Sequence, residues 1–302
     1  AMEAKVCHWE AKNVDKYDTF LFDCDGVLWR GGDRIPGSPA AVKKLMDMGK
    51  RVFFVTNNST KSRKQYVSKI KKFGIPIKDS TQILSSAFAA ASYLKSVDFK
   101  KKALFIGHEG IELELKEHGI QPVSAEDLLE GKQWKTSDLL KLEIDPEIGV
   151  VVVGMDLNFT YSKSALAALT IQANKKSNGC YLLSTNQDHT FPAEGGKFLP
   201  GAGATVRHVE AAADMEAVNV GKPTPFMFKH LTSTFKDIDL KRTLMVGDRL
   251  NTDMRFGNTG GADTCLVLTG VTQPGFDVTK LDKEEVPTWV LSSVASIFGM
   301  EK

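Results

Sequence analysis

The chain has 302 residues, of which 42% are hydrophobic and 25% are charged, as in an ordinary soluble globular protein. The 39 Lys and Arg residues nearly balance the 37 Asp and Glu residues, so the charge points to no nucleic-acid or membrane partner. This composition excludes collagen-like and disordered chains. The 4 cysteines are scattered and show no CxxC spacing, so they indicate no disulfide-stapled fold.

The apolar runs are too short to span a membrane, which takes about 20 consecutive apolar residues. The N-terminal residues also lack the charged start and the apolar core of a signal peptide. We therefore expect a cytoplasmic protein with reduced cysteines.

Apolar runs rich in β-branched and aromatic residues alternate with helical periods, a pattern that predicts βαβ units and a parallel sheet. Two helices are predicted early in the chain, each ended by a glycine. The fold class is therefore α/β, with a doubly wound, Rossmann-like parallel sheet. In chain order, the predicted strands are 19–22, 51–55, 102–107, 149–154, 243–247 and 264–270, and the two helices are 39–48 and 62–73.

One long segment of the chain, residues 96–199, carries its own alternation of strands and helices. It interrupts the regions that bear the polar clusters described next, as an inserted domain does. We therefore predict a discontinuous core domain of residues 15–95 and 200–302 and an inserted α/β cap domain of residues 96–199. Such a cap would cover the site and select the substrate.

Polar residues cluster where four predicted strands or turns end: DCDG at 23–26, TNNS at 56–59, GKP at 221–223 and GDR at 247–249. In an open parallel sheet, the carboxyl ends of the strands line one crevice. The four clusters are therefore expected to converge on one site, although they are far apart in the sequence.

The residue types in these clusters suit phosphoryl transfer. Two carboxylates two residues apart at a buried strand end repel each other, and together with two further aspartates they favour Mg²⁺, which takes oxygen ligands. Lysine, hydroxyl and amide groups can hold phosphoryl oxygens. The candidate residues are Asp23, Asp25, Asp248 and Asp253 for the metal and the chemistry, and Thr56, Asn57, Asn58 and Lys222 for the phosphoryl group.

In order and spacing, the motifs DCDGV, TNNS, GKP and GDRLNTD resemble motifs one to four of the haloacid dehalogenase superfamily of phosphatases. Further stretches, including TNQDHTFP and GKPTPFMF, are similar to the subgroup that contains phosphoglycolate, p-nitrophenyl and pyridoxal phosphatases. In that subgroup the cap is a large α/β insertion between motifs two and three, where the inserted segment lies here.

The resemblance implies a role for each aspartate. Asp23 would attack phosphorus and form an aspartyl-phosphate, and Asp25 would act as general acid and then as general base. Mg²⁺ would lie between the Asp23 carboxylate, the Asp25 backbone carbonyl and Asp248, and Asp253 would support this arrangement.

The resemblance also bears on the substrate, a small phosphorylated metabolite. Phe191 stands where pyridoxal phosphatases of the subgroup tend to carry a histidine, which favours 2-phosphoglycolate and leaves pyridoxal phosphate and sugar phosphates as alternatives. Members of the subgroup often dimerise through the cap, so the resemblance implies a homodimer of this kind. An acidic substrate calls for a basic cap residue, and the candidates are Lys163, Lys175, Lys176 and Lys197.

Two other charged residues are left outside the predicted site. Arg63 is expected to face solvent, and His108 is expected to be a surface or hinge residue. Competing functions are a phosphomutase or dehalogenase, a protein phosphatase and a non-catalytic binding protein. Asp25 disfavours a dehalogenase, because that reaction does not need the second aspartate.

Overall fold

The structure is a computed structural model that describes residues 7–130, 133–193 and 197–300. The strands, in chain order, are β1 (Thr19–Phe22), β2 (Trp29–Arg30), β3 (Asp33–Arg34), β4 (Arg51–Thr56), β5 (Ile83–Ser85), β6 (Lys102–Ile106), β7 (Pro122–Ser124), β8 (Ile148–Val153), β9 (Tyr181–Ser184), β10 (Thr190–Pro192), β11 (Phe198–Pro200), β12 (Val218–Asn219), β13 (Thr243–Gly247), β14 (Asp263–Val267) and β15 (Trp289–Leu291).

The α-helices are α1 (Ser38–Asp47), α2 (Arg63–Lys72), α3 (Ser86–Ser96), α4 (Glu109–Glu117), α5 (Ala125–Leu129), α6 (Thr136–Leu139), α7 (Tyr161–Asn178), α8 (Ala202–Ala213), α9 (Phe226–Thr234) and α10 (Arg255–Gly260). A π-helical turn covers Leu250–Met254, and 3-10 helices cover Ala11–Lys16, Ser80–Gln82, Leu240–Arg242, Val278–Lys280, Lys283–Glu285 and Val294–Phe298. No helix within these described ranges combines the length and the apolar character needed to cross a bilayer.

The strands form two parallel sheets. The larger has the order β15-β14-β13-β1-β4-β5, and the smaller has the order β12-β9-β8-β6-β7. Short antiparallel hairpins pair β2 with β3 and β10 with β11. The predicted α/β fold with a parallel-sheet core and an inserted α/β cap domain is confirmed.

The central strands are apolar along their whole length because helices cover both faces of each sheet. Every residue of β1 and of β8 is buried, the pattern expected of parallel strands between two helical layers. The predicted helix 62–73 is confirmed as α2, which begins with a capping box in which Ser62 and Gln65 bond each other's backbone amides.

The inserted segment extends further along the chain than the sequence analysis assigned. Strand β12 pairs with β9 in the smaller sheet, and helix α8 packs against the cap helix α7. Residues 200–219, assigned to the core domain, therefore lie in the layers of the cap. A strand of only two residues, Val218–Asn219, carries too short an apolar run to reveal this pairing from sequence.

The two sheets share packed apolar side chains. One hydrophobic cluster contains Phe53 of the core sheet, Ala91 of α3, Leu115 of α4 and Phe105 of the cap sheet. Helix α3 packs directly against α4 and so lies between the two layers. The cap is thus joined to the core by a continuous buried contact in addition to its connecting chains.

Candidate active site

The candidate site begins where β1 ends. The backbone N–H of Asp23 donates to the carbonyl of Val246 (2.9 Å), which ties the residue to the end of the neighbouring strand β13. Asp23 is buried and lines a cavity of about 570 Å³. The first aspartate of the predicted pair therefore lies at the bottom of a pocket at the carboxyl edge of the core sheet.

Lys222 binds two of the predicted aspartates at once. Its Nζ donates to Asp23 Oδ1 (2.6 Å), to Asp253 Oδ1 (2.7 Å) and to the carbonyl of Val55 (3.0 Å). Burial alone would lower the pKa of this ammonium group, but Asp23 and Asp253 outweigh burial and raise it. Lys222 is therefore a fixed positive charge inside the site.

Asp253 holds the loop that carries Asp248. Its Oδ2 accepts hydrogen bonds from the backbone N–H groups of Asp248 and Arg249, both at 3.1 Å. Since Oδ1 is bound to Lys222, both oxygens of Asp253 are occupied by protein groups. This arrangement fits the supporting role that the sequence predicted for Asp253.

The Asp248 carboxylate packs against two backbone positions at which only glycine leaves enough space. Its Oδ2 accepts from the backbone N–H of Val271 (2.6 Å), and a Cβ atom placed on Gly270 would lie 1.7 Å from that oxygen. A Cβ on Gly26 would lie 2.4 Å from it, and Gly26 has a φ of 89°. Sequence reasoning missed Val271 and Gly270, which follow a strand far from the recognised motif.

The three aspartates Asp23, Asp248 and Asp253 form a buried acidic group. Each offers one carboxylate oxygen within 4.8 Å of the others. Burial, with Asp253 beside it, raises the pKa of Asp248 to about 7, and burial raises the pKa of Asp23 well above its usual range against the opposing effect of Lys222. One lysine against three carboxylates leaves a deficit of positive charge.

The same group provides suitable ligand atoms for a cation. Within the described part of the chain, Asp23 Oδ2 and Asp248 Oδ1 accept no hydrogen bond, whereas their partner oxygens do. Buried carboxylate oxygens with unused lone pairs are the donor set of a hard divalent cation such as Mg²⁺. The residues present therefore fit the predicted metal.

The TNNS motif follows β4, and its side chains mostly bond to protein. Asn57 Oδ1 accepts from the backbone N–H of Lys222 (2.8 Å), and its Nδ2 donates to the Lys222 carbonyl (3.1 Å) and to Asp188 Oδ2 (3.1 Å). Thr56 is buried, lines the cavity and accepts from the backbone N–H of Asn58 at 3.1 Å. Asn57 thus positions Lys222, and Thr56 remains next to the cavity.

Asp25 is surrounded by donors, of which only Asn58 was predicted from the sequence to belong to the site. Trp29 Nε1–H donates to Asp25 Oδ1 (2.7 Å), and Asn58 Nδ2 donates to Asp25 Oδ2 (3.2 Å). Lys69 Nζ lies 3.7 Å from Asp25 Oδ1 and 4.4 Å from the centre of the Trp29 ring. The hairpin β2–β3 and helix α2 therefore orient this carboxylate, which is 32% exposed.

The cap contributes the opposite side of the cavity through residues that follow its own strands. His108 follows β6, Met155 and Leu157 follow β8, and Asn186 and Asp188 follow β9. The carboxyl ends of the cap strands thus line the same cavity as the carboxyl ends of the core strands. His108, expected at a surface or hinge, lies in the wall of the pocket.

The loop after β9 is linked to the loop after β13 by a partly buried ion pair. Arg249 NH1 lies 3.9 Å from Asp188 Oδ1, and Arg249 NH2 donates to the carbonyl of Thr190 (3.0 Å). Burial raises the pKa of Asp188, and the Arg249 charge opposes that shift. Asp188 and Arg249 therefore hold the loop after β9 against the loop that carries Asp248.

The expectation that Arg63 faces solvent is wrong. Its side chain is only 14% exposed, its Nε donates to Glu114 Oε2 (3.1 Å), and its guanidinium lies 3.9 Å from the centre of the Phe88 ring. Glu114 belongs to the cap helix α4, which folds back over α2. The periodicity of α2 gave no sign of this contact, because the partner comes from a distant segment.

The cap lysines proposed as substrate ligands do not line the cavity. Lys163 is buried and pairs with Asp156 (2.6 Å) and Glu126 (2.5 Å), so its charge is already balanced. Lys175, Lys176 and Lys197 are also outside the cavity lining. The basic groups near the substrate come from other elements.

Two family models match the chain. Residues 20–121 match the family model described as haloacid dehalogenase-like hydrolase, and residues 219–297 match a second model for hydrolases of this type. The first match extends into the beginning of the cap, and the two matches together include all the residues predicted for the metal and the phosphoryl group.

Curated relatives cover nearly the whole chain. The chain is 39% identical over 290 residues to a 4-nitrophenylphosphatase of Schizosaccharomyces pombe, covering 94% of each protein. It is 41% identical to phosphoglycolate phosphatase 2 of Arabidopsis thaliana, covering 95% of this chain and 94% of that protein. It is also 41% identical to a glycerol-3-phosphate phosphatase of Gallus gallus, covering 84% and 80%.

Solved structures show the same architecture. A p-nitrophenyl phosphatase from Archaeoglobus fulgidus superposes with a TM-score of 0.76 at 27% identity, covering 93% of this chain and 98% of that one. A glycerol phosphate phosphatase of Mycobacterium tuberculosis, solved in complex with magnesium, gives a TM-score of 0.76 at 26% identity, covering 94% and 77%.

Proposed function

The chain belongs to the haloacid dehalogenase-like hydrolases and is a phosphoric monoester hydrolase, and from this premise we propose that it is a Mg²⁺-dependent phosphatase of small metabolites. The observation that carries this proposal is Lys222 bound to both Asp23 and Asp253 inside a buried acidic group. A fixed cation beside a carboxylate at the bottom of a cavity suits a phosphoryl group that must be held for attack.

The reaction would proceed in two displacements at phosphorus. An oxygen of Asp23 forms a bond to phosphorus while the bond to the alcohol oxygen breaks, and Asp25 gives its proton to the departing alkoxide. Asp25, now a carboxylate, then takes a proton from a water molecule that attacks the aspartyl-phosphate. Inorganic phosphate leaves, and Asp23 and Asp25 return to their starting states.

Two carboxylates have the free oxygens that a cation needs. Asp23 and Asp248 would hold Mg²⁺, and Asp253 would keep the Asp248 loop in place through its two backbone hydrogen bonds. When bound, Mg²⁺ supplies positive charge to the phosphoryl oxygens. Thr56 and Lys222 would hold the remaining oxygens of that group, with Asn57 and Asn58 positioning Lys222 and Asp25.

The substrate we favour is 2-phosphoglycolate, with 4-nitrophenyl phosphate as a laboratory substrate. A relative named phosphoglycolate phosphatase 2 is 41% identical over nearly the full chain. Glycerol 3-phosphate is a second candidate, because another relative of 41% identity is named for it. Phe191 lies in the cavity wall where the pyridoxal phosphatases tend to have histidine, which weakens the case for pyridoxal phosphate.

The test is phosphate release from 2-phosphoglycolate, glycerol 3-phosphate, 4-nitrophenyl phosphate and pyridoxal phosphate, with Mg²⁺ and with chelator. We expect metal-dependent release that falls by about four orders of magnitude in Asp23→Asn. Acid quenching during turnover of ³²P-labelled substrate should leave label on the wild-type protein and none on this variant.

The matched control is Asp33→Asn, which removes an exposed carboxylate in the β2–β3 hairpin outside the cavity. It should keep wild-type activity. Equal activity of Asp23→Asn and wild type would overturn the nucleophile assignment. A folded wild type that releases no phosphate from any of the four substrates with Mg²⁺ would overturn the phosphatase proposal and favour a mutase.

We also propose that the protein is a homodimer formed through the cap. Apolar side chains on the cap are exposed, including Phe198 (51%), Leu199 (46%) and Tyr161 (71%). Large apolar side chains exposed to solvent are common at protein interfaces. Sedimentation velocity should give a dimer for wild type and a monomer for Phe198→Asp, whereas a monomeric wild type would contradict the proposal.

A further inference from the structure

The cavity contains cationic groups of two kinds. Lys222, Arg249 and Arg30 line it, but the first two bind carboxylates and the third donates to the carbonyl of Thr269. His108 and Lys61 also line it, and within the described ranges their side chains have no hydrogen bond or ion pair. Two basic side chains in the pocket are therefore available to a ligand.

His108 is held in place without a protein partner for its outer nitrogen. It follows strand β6 and precedes helix α4, yet its side chain makes no capping hydrogen bond. Its Nε2 is shielded from solvent and has no hydrogen-bond partner in the described part of the chain. A shielded ring nitrogen without a partner is unfavourable unless a ligand completes its hydrogen bonding.

Lys61 is placed beside the same helix by tight backbone packing. A Cβ atom on Gly110 would lie 2.5 Å from both the backbone nitrogen and the carbonyl carbon of Lys61. The close approach brings the loop after the TNNS motif against the first turn of α4. The core thus contributes Lys61, and the cap contributes His108, where the two regions meet at the cavity.

The neighbouring walls limit what these two groups can reach. Met155, Leu157 and Phe191 give the pocket an apolar side that offers no polar partner to a ligand. Glu109, the residue after His108, also lines the cavity; its Oε1 accepts a hydrogen bond from Gln65 Nε2 (2.7 Å), and within the described residues it forms no ion pair with Lys61. The positive charge of Lys61 is therefore not cancelled by an ion pair within the described residues.

We propose that His108 and Lys61 form a subsite that binds the carboxylate of a small phosphorylated hydroxy acid and so favours 2-phosphoglycolate over glycerol 3-phosphate. This inference rests on the proposed function, since the phosphoryl group must occupy the site of Asp23 and Lys222. The ammonium of Lys61 supplies charge, and the imidazole of His108 supplies a directed hydrogen bond. The uncharged glycerol group of glycerol 3-phosphate would bind Lys61 and His108 less well than a carboxylate would.

The test compares kcat/KM for 2-phosphoglycolate and for glycerol 3-phosphate in wild type, His108→Ala and Lys61→Met. In each variant we expect the ratio of the two values to fall by about ten-fold, mainly through a higher KM for 2-phosphoglycolate. Lys61→Arg should restore most of the ratio. His208→Ala, which changes an exposed cap histidine outside the cavity, should leave it at the wild-type value.

The possible outcomes distinguish a failure of the subsite from a failure of the proposed phosphatase activity. An unchanged ratio in both variants, or an equal loss for both substrates, would overturn the subsite. A wild type that hydrolyses glycerol 3-phosphate but not 2-phosphoglycolate would also overturn it and leave the phosphatase proposal standing. A wild type that hydrolyses neither compound nor 4-nitrophenyl phosphate would remove the proposed function itself.

Discussion

The carboxyl edges of the two parallel sheets meet at one cavity but carry different side chains. At the core edge, Asp23 and Asp253 both bind Lys222, which follows the cap strand β12 and also donates to a core carbonyl group. At the cap edge, His108 has a shielded nitrogen without a partner in the described residues, and Leu157 is 64% exposed. Both sheets place functional side chains at the carboxyl ends of parallel strands. The core edge forms a preorganised charged site, whereas the cap edge contains polar groups that a ligand could still bind.

This difference indicates how the two regions can diverge separately. A change at the core edge breaks several interactions of buried charges at once, whereas a change at the cap edge alters what the wall can bind. The predictions below test this contrast, beginning with the largest expected effect.

Replacing Lys222 with Met should produce the largest loss. The variant leaves Asp23 and Asp253 buried without their cation, which should destabilise the protein by about 3 to 5 kcal/mol and lower kcat by about 10³-fold. Urea unfolding and phosphate release measure the two effects. A stable, active Lys222→Met protein would show that the core edge is not the charge-coupled unit described above.

Removing the ion pair between Arg63 of the core and Glu114 of the cap should lower the free energy of unfolding nearly as much as Lys222→Met does. Arg63→Met leaves Glu114 fully buried without its cation, and the expected cost is about 3 kcal/mol. The matched control is Lys64→Met, which removes a pair with Glu117 that is 73% exposed on the lysine side and should cost less than about 1 kcal/mol.

Urea unfolding of the Arg63→Met protein also tests the shared apolar packing. If the cap and the core unfold as one unit, the transition stays single and moves to lower urea. A variant as stable as the Lys64→Met protein would contradict the importance of the buried pair.

The pH dependence of stability should report the crowding of carboxylates at the core edge. Burial raises the pKa of Asp248 to about 7 in the absence of metal, so the folded state favours the protonated form. The stability from this group is present at low pH and is lost as the pH rises through about 7. With chelator, the Tm of wild type relative to Asp248→Asn should therefore fall by about 5 °C between about pH 4 and pH 8.

Magnesium should reverse this trend for the wild type at the high-pH end, because the ion binds the ionised carboxylate. Thermal scans at several pH values, with and without Mg²⁺, measure both effects. A Tm difference that is constant across this range would mean that Asp248 titrates as it does in the unfolded chain.

Trp29→Phe should give the smallest effect, since it removes one hydrogen bond to Asp25 and keeps an aromatic ring beside Phe73. The loss of one such bond corresponds to about 1 kcal/mol, or a roughly five-fold lower kcat. Steady-state kinetics with 4-nitrophenyl phosphate provide the measurement. A loss as large as that of Lys222→Met would place the β2–β3 hairpin among the elements that the reaction requires.

The sequence predicted the central strands well because a buried parallel strand is an uninterrupted apolar run. The runs at 19–22 and 243–247 coincide with β1 and β13 as observed. The polar residues that follow such runs were the natural candidates for the site, because strand ends in one sheet must share an edge.

The remaining features depend on contacts that local patterns do not encode. Strand β12 has two residues, so nothing in its composition assigns it to the cap sheet. The burial of Arg63 depends on Glu114, which is 51 residues away. His108 was placed at a surface or hinge because no second histidine lies nearby, and only the topology of the cap sheet brings it into the cavity wall.

The contact between Trp29 and Asp25 has a spectroscopic consequence. An indole whose N–H donates to a carboxylate at a cavity should change its fluorescence when that carboxylate changes partner or protonation. Trp9 and Trp289 lie away from the cavity, with their rings 5.3 Å apart, and Trp134 lies in the cap. Trp29 is thus an intrinsic fluorophore next to the proposed general acid, and no external label is needed to follow ligand binding in real time.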